Sequence, residues 1–363
     1  MKTTQLAVDL VSGAPLADDG EAAQAQAQAQ ALSQLQLQLQ AQAQAQSQSQ
    51  LPAQAQALAE TLRAAPALAA WARAHGRPEG DEGLCVEWVE QTASTNADLL
   101  EQAFGVLAAG PRVRLSERQT AGRGRQGRPW QTVAGASLAL SVALERVVPA
   151  PAQQGLQGPA AHPWQGLSLA VGVALAQSLS ALRSPADLGL PHASGDILLK
   201  WPNDLWLHGR KLGGILIELR RNPRTAHPGG AERIERVVVG VGLNLFANAA
   251  WAQLDRPATA LFESSPCAHR DGDPARAPVL VAARVVEAIL SASLRLQDEG
   301  LAGVVGAWRV RDALMGRTVR VEEPGAEPWV GVAAGIDHDG ALRVESLQGV
   351  RRVQAGTVSI RPL

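Results

Sequence analysis

Gly122, Gly124 and Gly127 satisfy G-x-G-x-x-G, and the residues after them decide whether the chain can fold around a dinucleotide. In a Rossmann unit a helix begins at these glycines and its N-terminus takes the pyrophosphate. Here Pro129 and Gly135 follow, with no apolar periodicity before the strand-like Ser137–Leu144 (SLALSVAL). Glu145 falls near the place of a ribose-binding acid, but without the helix that spacing means nothing. A kinase glycine-rich loop fails too, because neither H-R-D nor D-F-G follows. No G-x-x-x-x-G-K-[ST] is present. What remains is a flexible loop with Arg123, Arg125 and Arg128 among its glycines. Six arginines lie between Arg112 and Arg128 against one acid, Glu117. Guanidinium groups grip phosphate oxygens bidentately, and glycines let backbone close over a ligand. The loop therefore predicts a site for a small phosphorylated ligand. Only Trp130 is near enough to serve as a stacking platform, too little for single-stranded nucleic acid.

Around this loop the pattern is that of an α/β (α+β) protein. Alternation predicts strands at Leu84–Glu90, Val113–Arg118, Ser137–Leu144, Ile197–Trp201, Leu205–Leu207, Lys211–Leu219 and Val237–Leu245. Helices are expected over Gly166–Leu182, over Val279–Gln297 and over Asn96–Ala109, the last capped by Ser94, Thr95 or Asn96. Segments 150–164, 184–196 and 222–233 read as surface loops. After Leu314 the chain changes to short strands at Thr318–Val321, Trp329–Ala334, Leu342–Glu345 and Thr357–Ile360. With Asp339-Gly340 as a hairpin turn, they predict a small β-barrel over 314–363. Residues 58–313 form the larger domain.

The front is different. Residues 21–57 are mostly alternating Ala and Gln, and a period of two makes no amphipathic helical face. Low complexity of this kind is expected to be disordered over 1–57, with a short helix from about Gln56 to Ala74 leading into the fold. Residues 1–80 offer no apolar core or basic recognition helix for a helix-turn-helix. Thirty-three Lys and Arg against 34 Asp and Glu give a net charge of −1, which argues against DNA or an anionic membrane as partner. Two cysteines without C-x-x-C exclude a disulfide framework. No run nears the ~18 apolar residues of a membrane span. Lys2 is the only basic residue before Arg63, unlike a targeting peptide, so the expected location is cytoplasmic. The seven histidines include no H-E-x-x-H, and no metal site is expected.

Three further motifs carry polar chemistry. In Lys200-Trp201-Pro202-Asn203-Asp204 the lysine follows an apolar strand, and a partly buried ammonium needs an anion. Lys211-Leu212-Gly213-Gly214 and Gly240-Val241-Gly242-Leu243-Asn244 place glycines inside strands, where they admit a close neighbour. Ser94-Thr95-Asn96 either caps a helix or holds a polar ring.

In this order, the four motifs resemble the biotin protein ligases, over roughly residues 84–363. The resemblance rests on Ser94-Thr95-Asn96, on Gln119 with GRGRQGR-x-W, on KWPNDL with KLGGIL-x-E, and on GVGLN. Gln126, Pro129 and the alanines of Ala258-Thr259-Ala260-Leu261 depart from the usual pattern. The type implied is monofunctional, without an N-terminal DNA-binding domain. Its catalytic domain is a mixed sheet flanked by helices, class II synthetase-like, followed by an SH3-like barrel. The resemblance implies ATP and biotin as substrates, Mg²⁺ with the ATP, and a biotin carboxyl carrier protein as acceptor. A monomer or weak homodimer is expected. It puts Lys200 and Arg125 in the catalytic role. Ser94, Thr95, Asn96, Gln119, Arg123, Gly124, Arg125 and Lys200 are placed at biotin. Arg123, Arg125, Arg128, Trp130, Asn203, Lys211 and Asn244 are placed at ATP or the adenylate. A lipoate–protein ligase is the alternative of the same chemistry, and a biotin-responsive repressor that of another class.

Overall fold

The computed structural model describes residues 34, 50–78, 83–104, 110–149, 164–182, 195–222, 232–248, 251, 257–262, 276–355 and 359–363. Seven strands form one mixed sheet: β1 (Cys85–Thr92), β2 (Arg112–Gln119), β3 (Ser137–Pro149), β4 (Leu198–Lys200), β5 (Asp204–Leu207), β6 (Arg210–Arg221) and β7 (Glu232–Asn244). Their order is β1-β2-β3-β7-β6-β5-β4, with β1 and β2 parallel and every other neighbour antiparallel.

The strand residues sort the two faces by parity. Leu138, Leu140, Val142 and Leu144 of β3 and Val237, Val239, Val241 and Leu243 of β7 enter the main core. That side is covered by helices α2 (Pro66–Ala74), α4 (Leu167–Ala181), α5 (Arg276–Glu299) and α6 (Ala302–Arg311). Helix α4 is apolar all round because it lies between the sheet and α5. Helix α5 is long and apolar enough to cross a membrane over Ala277–Glu299, contrary to the sequence expectation. In the fold 61% of its most apolar window is buried, as befits a core helix. On the other face lies α3 (Thr95–Glu101), which packs Leu99 on Ala143 and Val238.

Three sequence expectations need correction. Helix α3 stops at Glu101 and not near Ala109, because the buried Arg236 guanidinium takes its last carbonyls. Arg236 donates to Leu99 O at 3.0 Å, Gln102 O at 2.5 Å and Ala103 O at 2.7 Å. Its charge is matched by Glu145 at 2.7 Å. At the front, a helix over 51–63 (α1) precedes α2, the two meeting at Pro66, which cannot continue a helix. Leu51, Leu58 and Leu62 are buried in the core, so residues 51–57 belong to the fold; the rest of the Ala/Gln tract, apart from residues 34 and 50, lies outside the described residues. Helix α6, whose Val- and Gly-rich sequence carries no helical signal, packs on α4 through the buried Val304 and Trp308.

After Leu314 comes a second, five-stranded antiparallel sheet: β8 (Thr318–Glu322), β9 (Trp329–Ile336), β10 (Leu342–Ser346), β11 (Gly349–Val353) and β12 (Ser359–Pro362). The order is β11-β10-β9-β8-β12. Strand β11 was not anticipated; four of its five residues are exposed, so it shows no alternation. Asp339-Gly340 makes the expected turn between β9 and β10, with Gly340 at φ +85°.

The two sheets meet beside Lys200. Ala313 N donates to Leu199 O at 2.9 Å, and Trp201 Nε1 donates to Gly340 O at 3.0 Å.

Candidate functional site

The face of the sheet that α3 leaves uncovered is floored by very small residues. Register aligns Ser141 with Gly240 and Leu216 with Gly240, and in the next row Ala139 and Gly214 with Gly242. A cleft lies over these rows. The glycines are required by what sits on them. A Cβ at Gly240 would fall 2.3 Å from Asn96 Oδ1, and one at Gly242 2.3 Å from the Trp130 ring.

One end of the cleft is neutral and polar. Ser94, Thr95 and Asn96 are all buried at the start of α3, with Ser94 Oγ accepting from Ala97 N at 3.4 Å as its cap. Gln119 Oε1 accepts from Thr95 N at 2.9 Å. The hydroxyls of Thr95 and Ser141 are 2.7 Å apart, and Ser141 Oγ donates to Asn96 Oδ1 at 2.6 Å. Asn96 Nδ2 then donates to Glu218 Oε2 at 2.8 Å, and Arg123 Nη2 lies 3.9 Å from the other Glu218 oxygen.

The other end is cationic. Arg125, Arg128, Lys200 and Lys211 line the cleft there, with one lining carboxylate, Asp204. Lys200 is only 7% exposed. Asp204 lies 4.0 Å from Lys200 Nζ and 2.7 Å from Lys211 Nζ, so its charge is given mainly to Lys211. Lys211 Nζ is 5.8 Å from the Trp130 ring. Burial pushes the Arg125 guanidinium down from its ordinary value; Asp204 opposes that shift and Arg128 adds to it. Such a gathering of positive charge around a cleft is a standing site for an anion.

The arginine loop is folded as a closed hairpin. Gly124 N donates to Arg128 O at 2.7 Å and Trp130 N to Gly122 O at 2.9 Å, around a 3₁₀ turn over Arg125–Gly127. Gln126 occupies the left-handed region at φ 59° at its tip. Arg125 Nη1 reaches Asn203 Oδ1 at 3.5 Å, while Asn203 Nδ2 donates to Ile215 O at 2.7 Å. Arg128 Nη2 donates to Ser359 Oγ at 3.2 Å, so the second sheet contributes to the rim through Ser359 and Ile360.

Of the residues assigned from the sequence to biotin, to ATP or to catalysis, all but Asn244 line this cleft. Asn244 is buried at the end of β7, and its Nδ2 donates to Thr259 O at 3.0 Å. It ties residues 257–262 to the sheet next to Lys211, whose carbonyl accepts from Thr259 N at 3.0 Å. Ser141, Ser359 and Ile360 were not singled out, and Asp204 was named only within the KWPND motif. Ser141 left a signal, a hydroxyl in the middle of an aliphatic strand; Ser359, 231 residues beyond Arg128, left none.

Residues 88–244 match the Biotin/lipoate A/B protein ligase family, and residues 314–361 the Biotin protein ligase C terminal domain. The bifunctional ligase/repressor BirA of Escherichia coli is 32% identical over 278 residues, 74% of this chain and 71% of the relative. The chain belongs to the biotin protein ligase family. Another relative, the biotin–[acetyl-CoA-carboxylase] ligase of Mycobacterium tuberculosis, is 41% identical over 177 residues, 48% of this chain. That match spans about half the relative's length, 54%. The fold agrees with a biotin protein ligase from Aquifex aeolicus, solved in complex with biotin and ATP. Its TM-score is 0.53 at 21% identity, over 77% of this chain and 99% of that one. The chain couples a match to the ligase domain with a match to the C-terminal domain.

Proposed function

We propose that this chain activates biotin with ATP and transfers it to a lysine of the biotin carboxyl carrier protein of acetyl-CoA carboxylase. The observation that carries the reading is the polarity of the cleft. A ring of neutral hydrogen-bonding groups (Thr95, Asn96, Gln119, Ser141) lies at one end, with Arg123 beside it, and a cluster of four cations (Arg125, Arg128, Lys200, Lys211) at the other. That fits a molecule with an uncharged polar head and a carboxylate tail that must meet a triphosphate.

In the first half-reaction a biotin carboxylate oxygen attacks the α-phosphorus of ATP. The bond to the bridging oxygen breaks, giving biotinyl-5′-AMP and pyrophosphate. Lys200, buried in the cationic end, neutralises the carboxylate and an α-phosphate oxygen as negative charge collects there. Arg123 and Arg125 bind the acyl phosphate, Arg128 reaches the polyphosphate, and Trp130 and Lys211 flank the nucleotide. Asn203 orients Arg125, and Asn244 acts at one remove by holding the segment beside Lys211. Mg²⁺ comes with ATP on the phosphate oxygens; among the described residues no His, Cys, Asp and Glu group forms a metal cage. In the second half-reaction the carrier lysine's amine attacks the carbonyl carbon, AMP leaves and the nitrogen loses a proton. The hairpin over the cleft keeps water from the mixed anhydride until the carrier docks. In this reading residues 58–313 carry the chemistry, and 314–363 supply the far rim.

The test is ATP–pyrophosphate exchange dependent on biotin, with lipoate as control. Exchange with biotin is expected. Exchange with lipoate alone, or with neither acid, would overturn the reading.

A further inference from the structure

The hydrogen-bond chain in the neutral end of the cleft has a fixed direction, and a residue at its far end sets it. A carboxylate only accepts, so Glu218 Oε2, 2.8 Å from Asn96, forces the Asn96 amide to turn its NH₂ toward it. The amide oxygen must then face the other way, where Ser141 Oγ donates to it at 2.6 Å. A hydroxyl has one proton. With that proton committed to Asn96, Ser141 can only accept at 2.7 Å from Thr95 Oγ1. Thr95 thereby commits its own proton. Gln119 Oε1, 3.2 Å from the same hydroxyl, is served by the Thr95 backbone N–H at 2.9 Å. What Thr95 has left to offer a ligand is lone pairs. Ser141 is fully buried, so no bulk water competes to reverse the order.

We infer that Glu218 and Ser141 are positioning residues that make Thr95 an obligate acceptor, so the site selects a ligand ring with an N–H at that place. This rests on the ligase reading and deepens it. A cyclic urea carries such N–H groups, whereas a dithiolane or a ring oxygen would bring lone pairs against lone pairs. Sites built to hydrogen-bond a substrate N–H reject the analogue lacking it far more strongly than hydrophobic pockets reject a methylene.

The experiment is calorimetric titration of the full chain with biotin and with its two cyclic carbamates, in each of which a ring oxygen replaces one ureido N–H. The native chain, Glu218→Gln and Ser141→Ala are compared, each checked for cooperative melting. An amide at 218 donates as well as accepts, and alanine at 141 breaks the chain, so in both variants the Thr95 proton is released from Ser141 and is contested only by Gln119 Oε1 at 3.2 Å. The ratio of the biotin Kd to that of the less favoured carbamate should approach unity by about tenfold in either variant, the worth of one misdirected hydrogen bond. A merely structural role weakens all three ligands alike; an unchanged ratio in the folded variants would overturn the inference while leaving the ligase reading intact. Failure of the native chain to bind biotin would overturn that reading itself, and the inference with it.

Discussion

Trp201 Nε1 donates to the carbonyl of Gly340 at 3.0 Å, which joins the residue next to Lys200 to the β9–β10 turn of the second sheet. Leu199, on the other side of Lys200, accepts from Ala313 N at 2.9 Å. The lysine's two chain neighbours are thus both held by the C-terminal part of the molecule. Trp201→Phe keeps the buried ring and removes the donor, leaving the Gly340 carbonyl unsatisfied. Stability should fall by about 1–3 kcal/mol in urea denaturation. Pyrophosphate exchange should slow by roughly tenfold or more, as a misplaced charge at a reacting centre costs. An unchanged exchange rate would mean that Lys200 does not depend on the second sheet.

Lys200→Met removes the cation and leaves the aliphatic packing. Asp204 still has Lys211 at 2.7 Å, so no carboxylate is stranded and the fold should survive. Adenylate formation should drop by about 10³-fold or more, comparable with the loss of a principal charge-stabilising donor. Rapid-quench detection of the adenylate checks this; turnover near that of the native chain would remove Lys200 from the chemistry.

Arg236 is 0% exposed and bonds Glu145 together with the carbonyls that end α3. Arg236→Met strands the Glu145 carboxylate in the interior and should cost about 3–5 kcal/mol. Because α3 begins with Thr95 and Asn96, the same variant should also weaken biotin binding in proportion to the frayed population. The two losses are read from a denaturation curve and a titration; a stable variant would show that the pair is dispensable.

Burial pushes the Asp312 carboxyl up, against the Leu314 N–H that donates to it at 2.8 Å and pulls the other way. The folded state therefore favours the protonated form. Stability from this group is complete below the ordinary aspartate range near ~3.9 and is lost as pH rises through the higher folded value. Asp312→Asn keeps an acceptor for Leu314 and never ionises. It should match the native chain in acid and become the more stable of the two toward neutrality. Melting temperatures from pH 3 to pH 7 test this, and parallel curves would count against it.

Much of the site was readable because its demands are local. The glycines of GVGLN, the loop arginines and KWPND announce themselves by residue type, and the cleft gathers them. What sequence could not supply was the chemistry of juxtaposition. Asn244 looks like a ligand by its polarity, yet it spends its amide on the backbone of Thr259. Helix α3 carries no stop signal of its own, since the residue that ends it lies more than 130 positions downstream. Exposed β11 and valine-rich α6 take their form from their neighbours, against weak or contrary local preference. The strands of the main sheet, with core parity on one face, were legible in place, but β3 runs on from the expected Leu144 to Pro149 and β7 begins at Glu232, in what was expected to be a loop, and not at Val237.

The floor of the cleft is backbone at Gly214, Gly240 and Gly242. Those positions have no atoms left to lose. Mutational drift there runs one way, toward a shallower site, since any added carbon at 240 or 242 lands on Asn96 or Trp130. A version of this protein that takes a bulkier acid must be carved elsewhere, from the roof at the hairpin or Trp130 or from the larger floor side chain Leu216. At those three positions the depth of the site is already at its limit.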